Sequence, residues 1–420
     1  KFGKNIFTEN ICKDESNRSN RLNYNISQVV NKSESTNTKS NNTINMISNS
    51  TNGHGSVQEG ELDNKTKENS NEILYSPNDK KAKQIIYLSQ NTSSIRTEEL
   101  QAVTWNGIPF ELPQIRSLFW KLLLKYIPLS SENRDIILKR KRQEYYDTCI
   151  IYDSMLQDPN KNMNDSELKT YKQISVDIPR TLTEYKLFTS SKVKKMMLRL
   201  LFVWAKRHPA SGYVQGFNDL CSSFIAVFFS NYLKFSFDDF EVSDTDLNNL
   251  SEDHLFEIEA DSYWCFKKMM DNIQTNYISG QPGLQKMMNI MEKIVKTVDY
   301  NLWKHLKKLD ISYLQFSFRW MNCYLMREFS LKMIIRLWDS YFALNDSFNF
   351  FHLFVCACFL LNYSEKLKAM SEFQEVIMFL QNPPTNNWSE VDMNVLVAKA
   401  YQIYLIYGDK IRGEYKEMES

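Results

Sequence analysis

An all-α fold preceded by a disordered segment is what this 420-residue sequence predicts. Three observations lead there. From about residue 79 onward, apolar residues recur at helical spacing in run after run. β-branched alternation is scarce, so no stretch reads convincingly as a strand, and no fixed-period repeat is visible. Residues 1–78, in contrast, are roughly one-third Asn or Ser, hold no Trp and show no apolar period, so they cannot bury enough surface to offset the entropy of ordering. The expectation for them is a disordered linker or insertion rather than a targeting tail.

The helices follow in order. Ala82 to Leu88 gives the first turns. Gly107-Ile108-Pro109 is a turn, and Leu112 to Tyr126 is a helix on which Arg116 and Trp120, four apart, share a face. Pro128 is expected to end it. Glu132 to Asp153 is the next, and its basic run Lys139-Arg140-Lys141-Arg142 reads as a solvated face rather than a localisation signal. Ser166 to Gln173 is a short helix. Ile178 precedes Pro179 and is expected to be extended, so that Arg180 emerges from a stiffened loop. Lys192 to Arg207 is helical, with Ser191 as its cap. Pro209 and Gly212 stop it.

Asn218 is a good N-cap for the apolar helix Asp219 to Phe229. That places Gln215 and Gly216 just outside a helix N-terminus, where free amides favour an anion or a polarised ligand. Phe235 to Asp261 is acidic, without Lys or Arg, and reads as a mobile loop leading into a helix through Tyr263, Trp264 and Phe266. Gln281-Pro282-Gly283 is expected to break the chain. Leu284 to Val298, Trp303 to Leu309 and Tyr313 to Met326 are further helices, the last apolar nearly all round and therefore buried. Met333 to Phe342, Phe350 to Leu361, Phe373 to Leu380 and Val391 to Ile406 complete the set, punctuated by Pro383-Pro384 and Gly408.

Composition excludes several functions. Lys and Arg number 51 against 50 Asp and Glu, a formal charge of +1, which argues against a bulk nucleic-acid partner. An aromatic content of 13% implies a large core. The 7 cysteines (Cys12, Cys149, Cys221, Cys265, Cys323, Cys356, Cys358) have no CxxC spacing and read as reduced, buried thiols of a cytosolic protein. The chain begins at Lys1 rather than Met and is expected to be a fragment; no signal peptide opens it. The longest apolar run, Leu353 to Leu361, is too short to span a bilayer, so any membrane contact is expected to be peripheral or through a partner.

Most familiar chemistry is absent. None of the 11 glycines forms a GxxxxGK[ST] or GxGxxG pattern, so the chain is not expected to bind or hydrolyse nucleotide by itself. HExxH, GxSxG and Cys/His metal spacings are missing, and the scattered histidines (His54, His208, His254, His305, His352) read as structural. No metal or cofactor site is expected. What remains is Ile174 to Asp219, which carries an arginine, Arg180, in one loop and a glutamine, Gln215, in another. A guanidinium can neutralise a phosphate in transfer and a carboxamide can hold a water in line. Taken singly, Arg180 is an arginine paired locally with Asp177, and Gln215 is a loop residue. The residues alone therefore support a helical interaction protein.

The combination of motifs points further. Ile174, Asp177 and Arg180 form an IxxDxxR pattern, Tyr213, Gln215 and Gly216 a YxQG pattern, and Gly107-Ile108-Pro109 precedes Arg116 and Trp120. In this order, from about Trp105 to Gly408, the chain resembles the TBC-domain Rab GTPase-activating proteins. The segments 208–216, 260–265, 318–322 and 335–339 resemble the family's member 22 subgroup, which includes a yeast Golgi protein. One departure is visible: six residues, Phe110 to Ile115, separate the Gly-Ile-Pro turn from Arg116 where the family usually has three, which implies a small bulge before the helix.

The resemblance implies a V-shaped, two-subdomain TBC-type helical fold, with an N-terminal subdomain at 79–271 and a C-terminal one at 272–420. It implies GTPase activation in trans on a GTP-loaded Rab seated between them. Arg180 would neutralise the charge developing on the γ-phosphate and Gln215 would orient the attacking water. GTP and Mg would belong to the Rab, with no cofactor of the chain's own. Asp177 would hold Arg180, and Tyr213 would pack on the Rab or on the arginine stem. Gly216 would allow close backbone approach, Asn218 and Asp219 would cap the following helix, and Ile174, Arg116 and Trp120 would be supporting scaffold. A monomeric catalytic domain, cytoplasmic and peripheral at Golgi or other endomembranes through its Rab, is the implied setting. The alternatives are a non-catalytic Rab-binding scaffold or another helical interaction protein.

Overall fold

The computed structural model describes residues 80–90 and 93–417. The segment expected to be disordered, residues 1–78 with Cys12 and His54, lies wholly outside the described residues. Helix α1 is Lys80–Gln90, α2 Thr97–Trp105, α3 Pro113–Leu123, α4 Arg134–Gln157, α5 Pro159–Asn162 and α6 Asp165–Asp177. A 3-10 turn, Ile178–Arg180, continues α6 directly; α7 is Lys186–Thr189, α8 Ser191–Arg207 and α9 Phe217–Phe229. Next come α10 (Asp244–Asn249), α11 (Glu252–Asp271), α12 (Pro282–Val298), α13 (Tyr300–Lys308) and α14 (Tyr313–Asn322). The set closes with α15 (Leu331–Ala343), α16 (Phe348–Leu361), α17 (Ser364–Ala369), α18 (Phe373–Gln381) and α19 (Glu390–Glu417). No strand forms among the described residues; an isolated bridge joins Ser94 to Ser130. From Gln84 onward the described chain is one compact unit.

Local chemistry sets the starts. Pro113 and Pro282 stand in the first turn of α3 and α12, where a missing N–H has no partner to lose. Ser243 and Ser251 accept from the third residue beyond them and cap α10 and α11. Every residue of α9 is buried, and the helix packs on α8, α11, α3 and α15. Around it Trp120, Phe224, Trp338 and Phe342 interlock, with the Trp120 and Phe342 rings 4.9 Å apart and edge to face. Each such ring contributes roughly 1.5–3 kcal/mol by leaving water. A second apolar centre forms where α16 meets α12, α14 and α19.

Buried carboxylates tie distant helices together. Asp339 on α15 accepts from the Ile108 amide at 2.8 Å and the Trp120 indole at 2.7 Å, and lies 3.4 Å from Arg116 Nε. Arg116 is fully buried, and burial pulls its pKa below the usual arginine value against the pull of Asp339. Arg116 and Trp120 are thus both tied to α15 through one buried carboxylate. Asp261 on α11 accepts from Lys121 at 2.6 Å, Tyr126 at 2.9 Å and both forks of Arg142. Burial opposes its charge, yet Lys121 and Arg142 hold its pKa below the ordinary carboxylate range.

Several expectations are corrected. The run at 139–142 is not a uniformly solvated face, because Arg142 turns inward to Asp261 and to Glu257 at 2.7 Å. The acidic stretch after Phe235 is packed rather than loose: Phe240 is fully buried against Tyr185, and Lys332 holds Asp238 at 2.9 Å. The break expected at Gln281-Pro282-Gly283 falls on Gln281 alone, with its left-handed φ of 48°, and Pro282 and Gly283 already belong to α12. Helix α14 ends at Asn322 and shows one face to solvent, with Leu314 55% exposed. Gly408 lies within α19, where the Tyr404 ring occupies the space beside it. The helix expected to run to Tyr126 ends at Leu123, because Lys125 takes a left-handed φ of 57°. No single helix among the described residues is long and apolar enough to cross a membrane. Cys149, Cys221, Cys265, Cys323, Cys356 and Cys358 are free and buried, as expected.

Candidate functional site

The site begins on α6. Asn164 and Glu167 exchange side-chain and backbone bonds at 3.0 and 2.9 Å, a capping box that fixes where the helix begins. Helical spacing then turns Ile174, Asp177 and Ile178 inward and leaves Val176 exposed. Ile178 is not extended. It keeps helical angles, φ −57° and ψ −47°, and leads into the 3-10 turn with Pro179 at its start. The usual pre-proline preference is overridden because Ile178 is buried and the freed carbonyls find donors. Thr181 supplies both, its amide to Ile178 at 3.0 Å and its hydroxyl to Asp177 at 3.1 Å.

Arg180 therefore leaves a helical turn rather than an extended loop. Its Nε donates to the Val176 carbonyl at 3.0 Å and its Nη2 to Asp177 Oδ1 at 2.7 Å. The arginine side chain is 63% exposed while that of Asp177 is 8% exposed. The carboxylate is a fixed, internal anchor and the guanidinium is presented outward. The other Asp177 oxygen, Oδ2, accepts from the Tyr213 hydroxyl at 3.0 Å. Burial, then Asp177, raise the Tyr213 pKa far above its ordinary value, so the hydroxyl stays a donor. Tyr213 is buried, and its hydroxyl faces the carboxylate that also binds Arg180.

Two residues beyond Tyr213, Gln215 is exposed. Gly216 follows with φ +107°, a left-handed conformation open to glycine, and stands at the N-cap position of α9. A Cβ there would meet Asn322 Nδ2 at 2.8 Å and Cys323 Sγ at 2.9 Å. Asn218 is inside the first turn of α9 rather than its cap. Its Oδ1 accepts from the Gly216 amide at 3.1 Å and from Tyr213 at 3.2 Å, while its Nδ2 donates to Thr181 at 2.9 Å. With the Gly216 amide taken by Asn218 and the Phe217 amide by the Val214 carbonyl, those two groups are not free for an anion. Likewise Ser190, not Ser191, precedes α8, and it makes no side-chain cap bond.

Asp219 is buried, and burial raises its pKa even though Arg327 donates to it at 2.7 Å. Residues from beyond residue 300 thus reach the loop, and they were not singled out from the sequence: Asn322 donates to the Gln215 carbonyl at 3.0 Å, and Arg327 grips Asp219. No local signal could have found them, because 107 residues separate Gln215 from Asn322. The pair of exposed groups, one guanidinium and one carboxamide, can act on a phosphoryl group held by another molecule. Among the described residues no cluster of His, Cys, Asp or Glu could hold a metal ion.

Comparison with known proteins places the chain in a family. The Rab-GTPase-TBC domain matches residues 113–368. Human TBC1 domain family member 22B is 42% identical over 322 residues, covering 76% of this chain and 60% of that protein. The GTPase-activating protein gyp1 of Schizosaccharomyces pombe is 42% identical over 306 residues, covering 72% of this chain and 57% of that protein. The chain thus spans less than two thirds of these curated relatives. The crystal structure of the Ypt/Rab-GAP domain of Gyp1p superposes with a TM-score of 0.71 at 38% identity, over 78% of this chain and 98% of that one. With a helical fold shared over nearly the whole of that domain, and the domain match spanning most of the described residues, the chain belongs to the Rab-GTPase-TBC domain family.

Proposed function

We propose that the chain accelerates GTP hydrolysis on a GTP-loaded Rab by inserting two side chains in trans, Arg180 and Gln215. The observation that carries this reading is the shared anchor. Asp177 binds Arg180 through one oxygen and Tyr213, two residues before Gln215, through the other. Both groups that would enter the partner are exposed, and both lead back to one buried carboxylate. The guanidinium would neutralise charge on the γ-phosphate, and such a group contributes roughly a thousand- to a hundred-thousand-fold in rate. The carboxamide would orient the attacking water. GTP and Mg would come with the Rab. The arms that carry the fingers belong to the expected subdomain ending near Asp271, with the downstream helices bracing them; a monomer acting peripherally at Golgi membranes through its Rab is the setting proposed.

Phosphate release from a panel of GTP-loaded Rabs tests the proposal, with the wild type, Arg180→Ala and Gln215→Ala compared. Acceleration by the wild type that collapses in both variants is expected. No acceleration with any Rab, from folded protein, would overturn it, and GTP-dependent Rab binding in the same preparation would then favour a non-catalytic scaffold.

A further inference from the structure

Tyr213 and Gly216 fix the two ends of the Gln215 loop, but neither bonds Gln215 itself. Gln215 is instead contacted from the far end of α14. Asn322 Nδ2 donates to the Gln215 carbonyl at 3.0 Å. The Asn322 carbonyl is in turn held by the buried Tyr277 hydroxyl at 2.7 Å, and Asn322 is only 6% exposed. Gly216 leaves the room this contact needs, since a Cβ at that position would strike the same Nδ2. The backbone of Asn322 is therefore held from behind, and its carboxamide, whose buried Oδ1 makes no hydrogen bond, reaches the backbone of one residue through Nδ2.

We infer that Asn322 is a positioning residue for Gln215, setting the direction from which its carboxamide leaves the loop. This rests on the two-finger reading above. Asn322 touches no substrate. It acts on the peptide between Gln215 and Gly216 from the carbonyl side, while Asn218 holds the Gly216 amide of the same peptide at 3.1 Å, so that the two bonds together fix its plane. Misplacement of a reacting group by an ångström can cost on the order of a hundredfold in rate, so loss of this brace should reach kcat rather than binding.

Single-turnover and steady-state hydrolysis on a responsive Rab tests this with Asn322→Ala and Asn322→Asp, each also combined with Gln215→Ala and with Arg180→Ala. The Asp variant keeps the shape but turns an acceptor toward the Gln215 carbonyl. The expected result is a kcat lowered about tenfold or more, with KM changed less than about twofold. No further loss is expected when Gln215 is already Ala, whereas the loss should persist when Arg180 is Ala. Equal losses in the presence and absence of the Gln215 side chain would overturn the inference and mark Asn322 as general scaffold, as would full activity of both single variants. If Asn322→Ala fails to fold, Asn322→Asp alone decides by the same comparison. Should Gln215→Ala itself leave hydrolysis intact, the two-finger reading fails first, and with it the role inferred for Asn322.

Discussion

Asp177 accepts from the Arg180 guanidinium on one oxygen and from the Tyr213 hydroxyl on the other, so two segments 36 residues apart share one buried carboxylate. Asp177→Ala removes both bonds and leaves the Tyr213 hydroxyl buried without its charged acceptor. On a responsive Rab, hydrolysis should fall by about tenfold or more while Arg180 is still present. Tyr213→Phe should give a smaller loss and cost about 1–3 kcal/mol of stability, because Asp177 keeps Arg180 but loses a buried donor. Urea unfolding beside a hydrolysis assay checks both; unchanged activity in Asp177→Ala would remove the anchor from the account.

Gly216→Ala should be far more damaging than Gly212→Ala. Both glycines have a positive φ, +107° and +59°. At Gly216 the added Cβ also meets Asn322 and Cys323 below 3.0 Å, whereas nothing lies within 4 Å at Gly212. Backbone strain alone is worth on the order of 1 kcal/mol, and the clash adds to it. Denaturant midpoints should separate the two variants by at least about 1 kcal/mol; equal midpoints would mean that the loop moves away from α14 at little cost.

Asp339→Ala strands Arg116 as an unpaired buried cation and leaves the Ile108 amide and the Trp120 indole without their acceptor. Breaking a buried pair from one side costs about 3–5 kcal/mol, so thermal unfolding should fall by many degrees or the chain should not fold. Exchanging Arg116 and Asp339 together for apolar residues should recover part of the loss, and a double variant no better than Asp339→Ala would contradict this.

His352 sets a dependence on pH. Its ring is fully buried, accepting from the Tyr341 hydroxyl at 2.7 Å and donating to the Trp320 carbonyl at 3.1 Å, and burial pushes its pKa down to about 3. In the unfolded chain the ring takes its proton near pH 6.5. Between those values the unfolded state holds more protons, so stability is lost as pH falls below about 6.5. Buried Asp219 and Glu328 have raised values and act in the opposite direction. The stability difference between wild type and His352→Gln should therefore shrink by about 1 kcal/mol from pH 6.5 to pH 5.5 in urea titrations. A constant difference would mean that the imidazole is charged in the native protein.

Helix positions were largely legible in the sequence because period 3.6 survives without tertiary information, as at α8 and α12. Ends were less so: Asn218 looked like a cap, yet its side chain serves the amide of Gly216 from inside the helix. The pairing of Asp177 with Arg180 was legible because it is local. Its second bond, to Tyr213, and the reach of Asn322 and Arg327 to the loop were not, since each depends on where helices pack. The acidic stretch was misjudged for a related reason. Its charges suggested solvent, but Phe237 and Phe240 alternate among them and anchor it.

The grip of Asp339 on Ile108, Arg116 and Trp120 spans 219 to 231 residues. During synthesis, the first helices leave the ribosome with a guanidinium, an indole and an amide still awaiting their acceptor, until more than two hundred further residues have been made. Premature burial of that surface would leave these groups dry and unpaired. A chain released before α15 therefore carries an open, polar seam where the finished protein has a closed one, which makes truncated products natural targets for chaperones and proteases.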